Sequence, residues 1–340
     1  MRKTRFAKDL KFLPRTNDNN LMAIRINKPI ISQPILEMRR FRGCLVGAAA
    51  GDALGAPLEN LSRHDIIDTF GGSVDRYLSH ARRPHLFYGS WTDDTALEQA
   101  TLTSILERGN IDIKDMRSSM VGVFESEPNR GYGFSTRKAL GPVQKGKGKD
   151  RPSNGAAMRM ASVALFCCRD LGYLREQVEA VSRIIHRHPL AIDAAMAVAY
   201  AIALAARGEL RPECLIRDTI SFLGTGSEMG NKLVEVVELV EDDEMDSAEA
   251  FEQIGTSGNA LESVGSAFFA FLKSPNSFYQ SVVEAVNAGG DTDTIGAITG
   301  AISGAFNGIE GIPNKWLNNL EDKSIIDERS RRLFELINLT

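Results

Sequence analysis

Small apolar residues dominate long stretches of the chain, and their spacing predicts helices. Some stretches are rich in alanine and glycine, and others repeat apolar residues every three or four positions, as amphipathic helices do. The segments with these patterns are 38–55, 155–168, 191–207, 232–241, 261–272 and 295–306. Alternating patterns typical of strands are nearly absent. The sequence therefore predicts an all-α fold, a single compact multi-helix domain held together by close contacts between small residues.

The first 37 residues differ in character from the rest. Residues 1–40 contain ten Lys or Arg and three acidic residues, a net charge of +7, which leaves −11 for residues 41–340. Three prolines within 14–34 and the polar run TNDNN at 16–20 argue against a continuous helix. We predict a basic, extended N-terminal arm at 1–37 and an all-α domain at 38–340. A terminal tail without a function of its own is the alternative for the arm.

Composition excludes several classes of function. The net charge of the 340 residues is −4, so no global basic field attracts nucleic acid, and aromatic residues do not interleave with the basic residues of the arm. No uninterrupted apolar run is long enough to span a membrane, and no apolar stretch follows the basic start as in a secretory signal. The four cysteines form no CxxC pair, which favours a reducing cytoplasm.

Two short acidic motifs, each followed by an apolar run, look alike. The first is Trp91-Thr92-Asp93-Asp94-Thr95, and the second is Gly289-Gly290-Asp291-Thr292-Asp293-Thr294. Aspartate or threonine at a helix start can simply cap free backbone N–H groups. One cap uses one oxygen, however, so two near-copies about 200 residues apart exceed what capping requires.

The chemistry of these motifs points to metal ions. Buried carboxylates without partners repel one another, so they usually coordinate a metal or become protonated. Ligand sets made of aspartate and threonine oxygens favour hard ions such as Mg²⁺, Mn²⁺ or Ca²⁺. Two such ions sharing these ligands would polarise a substrate oxygen and activate a water. Glu59, just beyond the small-residue run that Pro57 ends, is a further acid that can reach a cleft, although a lone glutamate after a helix is usually solvated.

Together these residues resemble the ADP-ribosylglycohydrolase family over about residues 40–315. TDDT alone would be a weak match, but the ordered set of motifs, closed by GGDTDT, is highly specific. The matching segments are GCLVGAAAGDALGAPLE (43–59), SWTDDTALEQA (90–100), GYGFSTRKAL (131–140), SNGAAMRMA (153–161), HRHPLAIDAA (186–195) and NAGGDTDTIGAITGAISGAFNG (287–308).

The resemblance implies an all-α bundle with a dinuclear centre of two Mg²⁺, or alternatively Mn²⁺. It implies metal ligands at Thr92, Asp93, Asp94, Asp291, Asp293 and Thr294. It implies catalytic roles for Glu59, Asp94 and Asp293, without deciding which carboxylate is the base. Substrate contacts are implied at Gly131, Tyr132, Phe134, Ser135, Asn154, Gly155 and His188. At Asn154 and Gly155, a helix N-terminus would favour the diphosphate, although plain capping fits too; His186 is read as a site residue or a buried structural histidine.

The implied activity is removal of ADP-ribose from a modified protein side chain. Arginine is the favoured linkage over serine, because similar bacterial members act on arginine and because an acidic rim suits a guanidinium leaving group. The sequence is also similar to bacterial ADP-ribosylarginine hydrolases that serve as immunity proteins, which suggests that the arm blocks an ADP-ribosylating toxin. The alternatives are a catalytically silent module that binds ADP-ribose or a toxin, and a dinuclear phosphohydrolase acting on nucleotides.

Overall fold

The structure is a computed structural model that describes residues 34–80, 83–141 and 150–339. Within these ranges the chain forms helices and no strands, so the predicted all-α domain is confirmed. The first helices are α1 (Met38–Gly55), α2 (Arg63–Phe70), α3 (Asp93–Arg108), α4 (Ile113–Ser126), α5 (Phe134–Leu140), α6 (Ala161–Phe166), α7 (Leu171–Ser182) and α8 (Pro189–Ala206). They are followed by α9 (Pro212–Leu223), α10 (Glu228–Glu241), α11 (Ser247–Ile254), α12 (Ala260–Lys273), α13 (Phe278–Val286), α14 (Thr292–Asn307), α15 (Asn314–Leu317) and α16 (Lys323–Leu339).

Helices α1 and α14 pack against each other through glycines, antiparallel and with their backbones in contact. A Cβ atom added at Gly47 would lie 2.5 Å from the carbonyl oxygen of Gly300, closer than side chains approach in real proteins. The same close approach recurs between Gly51 and Gly296 one turn further on. Small residues permit this spacing because they leave no side chain between the helices. The packing brings the end of α1 to the beginning of α14, where the candidate site lies.

Most predicted helical segments are present, but the alanine-rich run at 155–168 is not one helix. Asn154–Arg159 forms a 3₁₀ helix, and only then does α6 begin. The run is interrupted because Arg159 turns into the interior, where its guanidinium bonds to the carbonyl oxygens of Gly155 and Ser182. The expected α-helix N-terminus at Asn154 is therefore a 3₁₀ turn whose first N–H, that of Asn154, donates to the Gly258 oxygen (3.2 Å).

Helix α8 is the only described helix long and apolar enough to cross a membrane, with a mean hydropathy of 1.8. The sequence shows no uninterrupted apolar run there because Asp193 lies within the helix. In the structure 78% of the helix is buried inside the fold, where it packs as a central core helix.

The predicted N-terminal arm falls largely outside the described residues, since the described chain begins at Pro34 and α1 begins at Met38. The boundary between arm and domain thus stays a prediction.

Candidate functional site

Five carboxylates line one cavity of about 200 Å³. Glu59 directly follows the 3₁₀ turn Ala56–Leu58 at the end of α1. Asp93 and Asp94 lie in the first turn of α3, and Asp291 and Asp293 lie at the start of α14. The α1–α14 packing and the start of α3 thus bring together the two acidic motifs and the glutamate, which are far apart in sequence.

Helix capping does not account for these acidic residues. Thr92 and Asp291 occupy the N-cap positions of α3 and α14, yet neither side chain makes a capping hydrogen bond. Asp93, Asp94 and Asp293 follow in the first helical turns, where the helix dipole favours negative charge. Oδ1 of Asp293 accepts the N–H of Thr294 (3.0 Å), but capping does not use most of the carboxylate oxygens, which remain available to the cavity.

Asp52, on α1, organises the first acidic motif from behind. This fully buried carboxylate accepts hydrogen bonds from the backbone N–H of Thr92 and Thr95 (3.0 Å each) and from their hydroxyls (2.8 and 2.6 Å). It holds the start of α3 in place and thereby orients Asp93 and Asp94. Asp52 has no predicted role, although an aspartate inside a run of small apolar residues is an unusual feature.

Burial and mutual repulsion disfavour full ionisation of the carboxylates in the cavity. Burial, reinforced by Asp52, raises the pKa of Asp93 to about 7. Burial and the neighbouring Asp52 and Asp93 hold the pKa of Asp94 well above its ordinary value. Burial and the charges of Glu59 and Asp291 do the same for the pKa of Asp293. The site therefore has an excess of negative charge that a cation would relieve.

Arg83 is an unpredicted basic residue beside this cluster. Its guanidinium forms an ion pair with Glu59, and Nη1 is buried without a hydrogen-bond partner. The guanidinium lies against Gly131, whose φ of +109° and missing side chain make room for it. Nothing in the sequence around Arg83 distinguishes it from its basic neighbours, because its place depends on the course of the loop before α3.

A second wall of the cavity is formed by residues of the other predicted motifs. Asn154 donates from Nδ2 to Oδ2 of Asp291 (2.8 Å), which joins this wall to the carboxylates. The Arg151 guanidinium lies 4.9 Å from the centre of the Phe134 ring, and Phe134 is 57% exposed. Predicted residues that line the cavity are Glu59, Asp93, Asp94, Gly131, Phe134, Ser135, Asn154, Gly155, Asp291, Asp293 and Thr294.

Three predicted residues, Thr92, Tyr132 and His188, do not line the cavity. Thr92 is fully buried and donates its hydroxyl hydrogen to Asp52, which leaves lone pairs of its oxygen unengaged. Tyr132 is 1% exposed and packs edge-on against Phe124, so its ring lies in the core, and its predicted substrate contact stays a prediction.

The structure places His186, rather than His188, on the cavity wall. His188 is the N-cap of α8, and its Nδ1 accepts the N–H of Leu190 (3.2 Å). The substrate contact that the resemblance implies for His188 stays a prediction, and His186 is the histidine whose ring lines the cavity. The HRHP pattern offers both histidines, and only the start of α8 at Pro189 decides which one caps the helix.

The donor set fits hard divalent cations in type and in charge. Every donor is a carboxylate or hydroxyl oxygen, and Oδ1 of Asp94 is buried without a hydrogen-bond partner. Such an orphaned, desolvated oxygen is costly unless a cation or proton satisfies it. Across the described ranges, no three Asp, Glu, His or Cys side chains stand close enough together to enclose an ion in this arrangement. The fit therefore rests on the chemistry of the donors.

Comparisons with known proteins show the family of this chain. Residues 33–340 match the family model of the ADP-ribosylglycohydrolases. An uncharacterised protein of Archaeoglobus fulgidus is 33% identical, covering 87% of this chain and 96% of its own. ADP-ribosylhydrolase ARH3 of Gallus gallus is 28% identical over 87% of this chain and 93% of its own, and ADP-ribosylarginine hydrolase Tri1 of Pseudomonas putida is 26% identical over 89% and 80%. The solved structure of an ADP-ribosylglycohydrolase-related protein complex superposes with a TM-score of 0.72 at 27% identity, covering 88% of this chain and 98% of that one.

The chain belongs to the ADP-ribosylglycohydrolase family. Members of this family hydrolyse ADP-ribosyl linkages and are known to use a dinuclear metal centre.

Proposed function

We propose that this protein is a metal-dependent hydrolase that removes ADP-ribose from modified protein side chains, with arginine as the linkage. The observation that carries the proposal is the convergence of five carboxylates on one cavity whose other wall is formed by Gly155 and His186. The carboxylate side would hold the cations and the reacting ribose. The Gly155 side, which carries no carboxylate of its own, would take the anionic diphosphate.

In the proposed hydrolysis, different residues of the site would bind the metal ions and accept the proton of the water. Two Mg²⁺ ions, with Mn²⁺ as the alternative, would supply Lewis-acid polarisation and an activated water when bound. Asp93, Asp94 and the carboxylates of α14 would hold them, with Thr92 and Thr294 contributing hydroxyl oxygens. Glu59 lies at the edge of the cluster, where it would accept the proton of the attacking water.

Two observations support arginine as the leaving group. A cavity rich in carboxylates attracts a guanidinium, and the guanidinium of Arg83 already lies against Glu59 beside it. Among the relatives, Tri1 is named an ADP-ribosylarginine hydrolase, whereas the ARH3 proteins are named ADP-ribosylhydrolases without a linkage.

The test is release of ADP-ribose from arginine-modified and serine-modified protein, each with Mg²⁺. The variants are Asp293→Asn and, as a matched control, Glu335→Gln on the exposed face of α16. We expect release from the arginine linkage alone, loss in Asp293→Asn and full activity in Glu335→Gln. Release from serine instead would contradict the linkage. Binding of ADP-ribose without release would make the protein a silent binding module, and phosphate release from nucleotides would indicate a phosphohydrolase.

The basic arm is the basis of a second part of the proposal. Residues 1–37 precede nearly all of the family match and carry most of the +7 charge of residues 1–40, which suits an acidic partner surface. We infer that the arm binds an ADP-ribosylating toxin and blocks it, in the cytoplasm where the toxin's targets lie. Deletion of 1–37 should abolish toxin binding and spare hydrolysis, and loss of both or of neither would refute this role.

A further inference from the structure

A buried arginine lies behind the Gly155 wall of the cavity and takes no part in the mechanism above. Arg159 is completely buried. Its Nη1 donates to the Gly155 carbonyl oxygen and lies 3.2 Å from Nδ1 of His186. Its Nη2 reaches the carbonyl oxygen of Ser182 at 3.4 Å. One guanidinium thus connects the backbone of the wall to the histidine on it.

This contact determines where the imidazole proton of His186 lies. A guanidinium has only donors, so the ring nitrogen beside Arg159 must accept. A neutral histidine that accepts at Nδ1 carries its proton on Nε2. Burial, reinforced by the charge of Arg159, holds the pKa of His186 well below its ordinary value, which keeps the ring neutral.

The ring is placed so that its other edge serves the cavity. His186 is 4% exposed and lines the cavity beside Gly155. A Cβ atom added at Gly155 would lie 2.7 Å from Cε1 and 2.9 Å from Nε2 of the ring. The edge that carries Nε2 therefore lies on the Gly155 side, where a ligand would pass over the glycine.

We propose that Arg159 is a positioning residue that fixes His186 as its Nε2–H tautomer and so presents a hydrogen-bond donor to a phosphate oxygen of the substrate. The identity of that oxygen rests on the proposed function, whereas the tautomer does not.

The energetics of the buried arginine favour such a role over a purely structural one. Its counter-charge, Glu98, is also buried and accepts the N–H of Ser162 (2.6 Å). Burial lowers the pKa of Arg159 to about 10 and raises that of Glu98 to about 7, so each charge is held at a cost. Apolar residues would often fill such a space with equal or better stability. The buried pair of Arg159 and Glu98 is therefore better explained by the contact of Arg159 with His186 than by a gain in stability.

The decisive measurement is the tautomer in the intact protein without substrate. Two-bond ¹H–¹⁵N correlation spectra of the full chain, labelled at its five histidines, distinguish the three protonation states. The His186 signals are assigned by their loss in His186→Gln. We expect a neutral ring protonated on Nε2 at about pH 7. A ring protonated on Nδ1, or a charged ring, would overturn the proposal.

Variants then connect the tautomer to binding, with free ADP-ribose as the probe in calorimetry. Arg159→Met should give mixed tautomers and about tenfold weaker binding, whereas Glu98→Gln, which leaves the contact with His186 intact, should preserve both. Equal losses in the two variants would indicate a merely structural network and overturn the proposal. If Arg159→Met does not fold, the wild-type spectrum decides. If the wild-type protein binds no ADP-ribose, the proposed function fails, while the tautomer is judged on its own.

Discussion

Substitution of Gly47 by alanine tests the backbone contact between α1 and α14. The added Cβ would lie 2.5 Å from the Gly300 carbonyl oxygen and 2.9 Å from Cε2 of Phe278, whereas ordinary contact begins at 3.4 Å. The first obstacle is backbone, so α1 and α14 would have to separate by about 0.9 Å. Overpacking of this kind costs about 3 kcal/mol at the upper end of its usual range. Alanine recovers about 1 kcal/mol of helix propensity, so we expect a net loss of about 2 kcal/mol.

The matched control is Gly122→Ala in the middle of α4. A Cβ atom there meets nothing within 4 Å, so the propensity gain of about 0.5–1 kcal/mol should appear alone. Urea titrations followed by circular dichroism give the free energy of unfolding of each variant. The same chemical change should thus destabilise at 47 and stabilise at 122. Equal stabilisation at both positions would refute the close backbone contact on which the placement of the site depends.

Three further predictions concern charged groups in and behind the site. Asp52→Asn cannot satisfy the four donors of Thr92 and Thr95 and should lower the free energy of unfolding by about 2–3 kcal/mol, as measured by denaturant titration. Burial raises the pKa of Glu98 from 4.5 to about 7, so the folded protein favours the protonated side chain. The contribution of Glu98 to the free energy of unfolding is therefore fully present below pH 4.5 and is lost as the pH rises to about 7. The free energy of unfolding of Glu98→Gln should therefore rise by up to about 3 kcal/mol relative to that of the wild-type protein over this pH interval. A difference between the two proteins that does not change with pH would contradict this prediction. Arg83→Ala removes a positive charge beside the carboxylates and should strengthen Mg²⁺ binding several-fold in calorimetry, whereas weaker binding would show that Arg83 helps to build the site.

The fold class could be predicted because the spacing of small residues in the sequence indicates closely packed helices. Glycines recur every fourth position in α1 and again in α14, a pattern that permits close packing of helices. Their antiparallel pairing across about 250 residues of sequence could not be read from the pattern, since nothing in either run specifies its partner.

The structure brings most residues of the predicted motifs to one cavity, whereas the residues that distant elements position there had no predicted role. The acidic motifs could be singled out because capping leaves most of their oxygens unexplained. Arg83 reaches Glu59 through the course of a loop, and Arg159 interrupts a helix that composition alone predicts, so neither role follows from local sequence. His186 and His188 are two residues apart, and the helix start at Pro189 turns only one of them toward the cavity.

The most direct test of the proposed metal-dependent hydrolysis is ADP-ribose release from arginine-modified protein with Mg²⁺ and with excess chelator. Asp94→Asn, which alters the orphaned oxygen of the cluster, is compared with the wild-type protein in the same assay. We predict release that requires Mg²⁺, that returns when Mg²⁺ is restored, and that is lost in Asp94→Asn while the variant remains folded. Release that persists in chelator, or that survives in Asp94→Asn, would contradict the account.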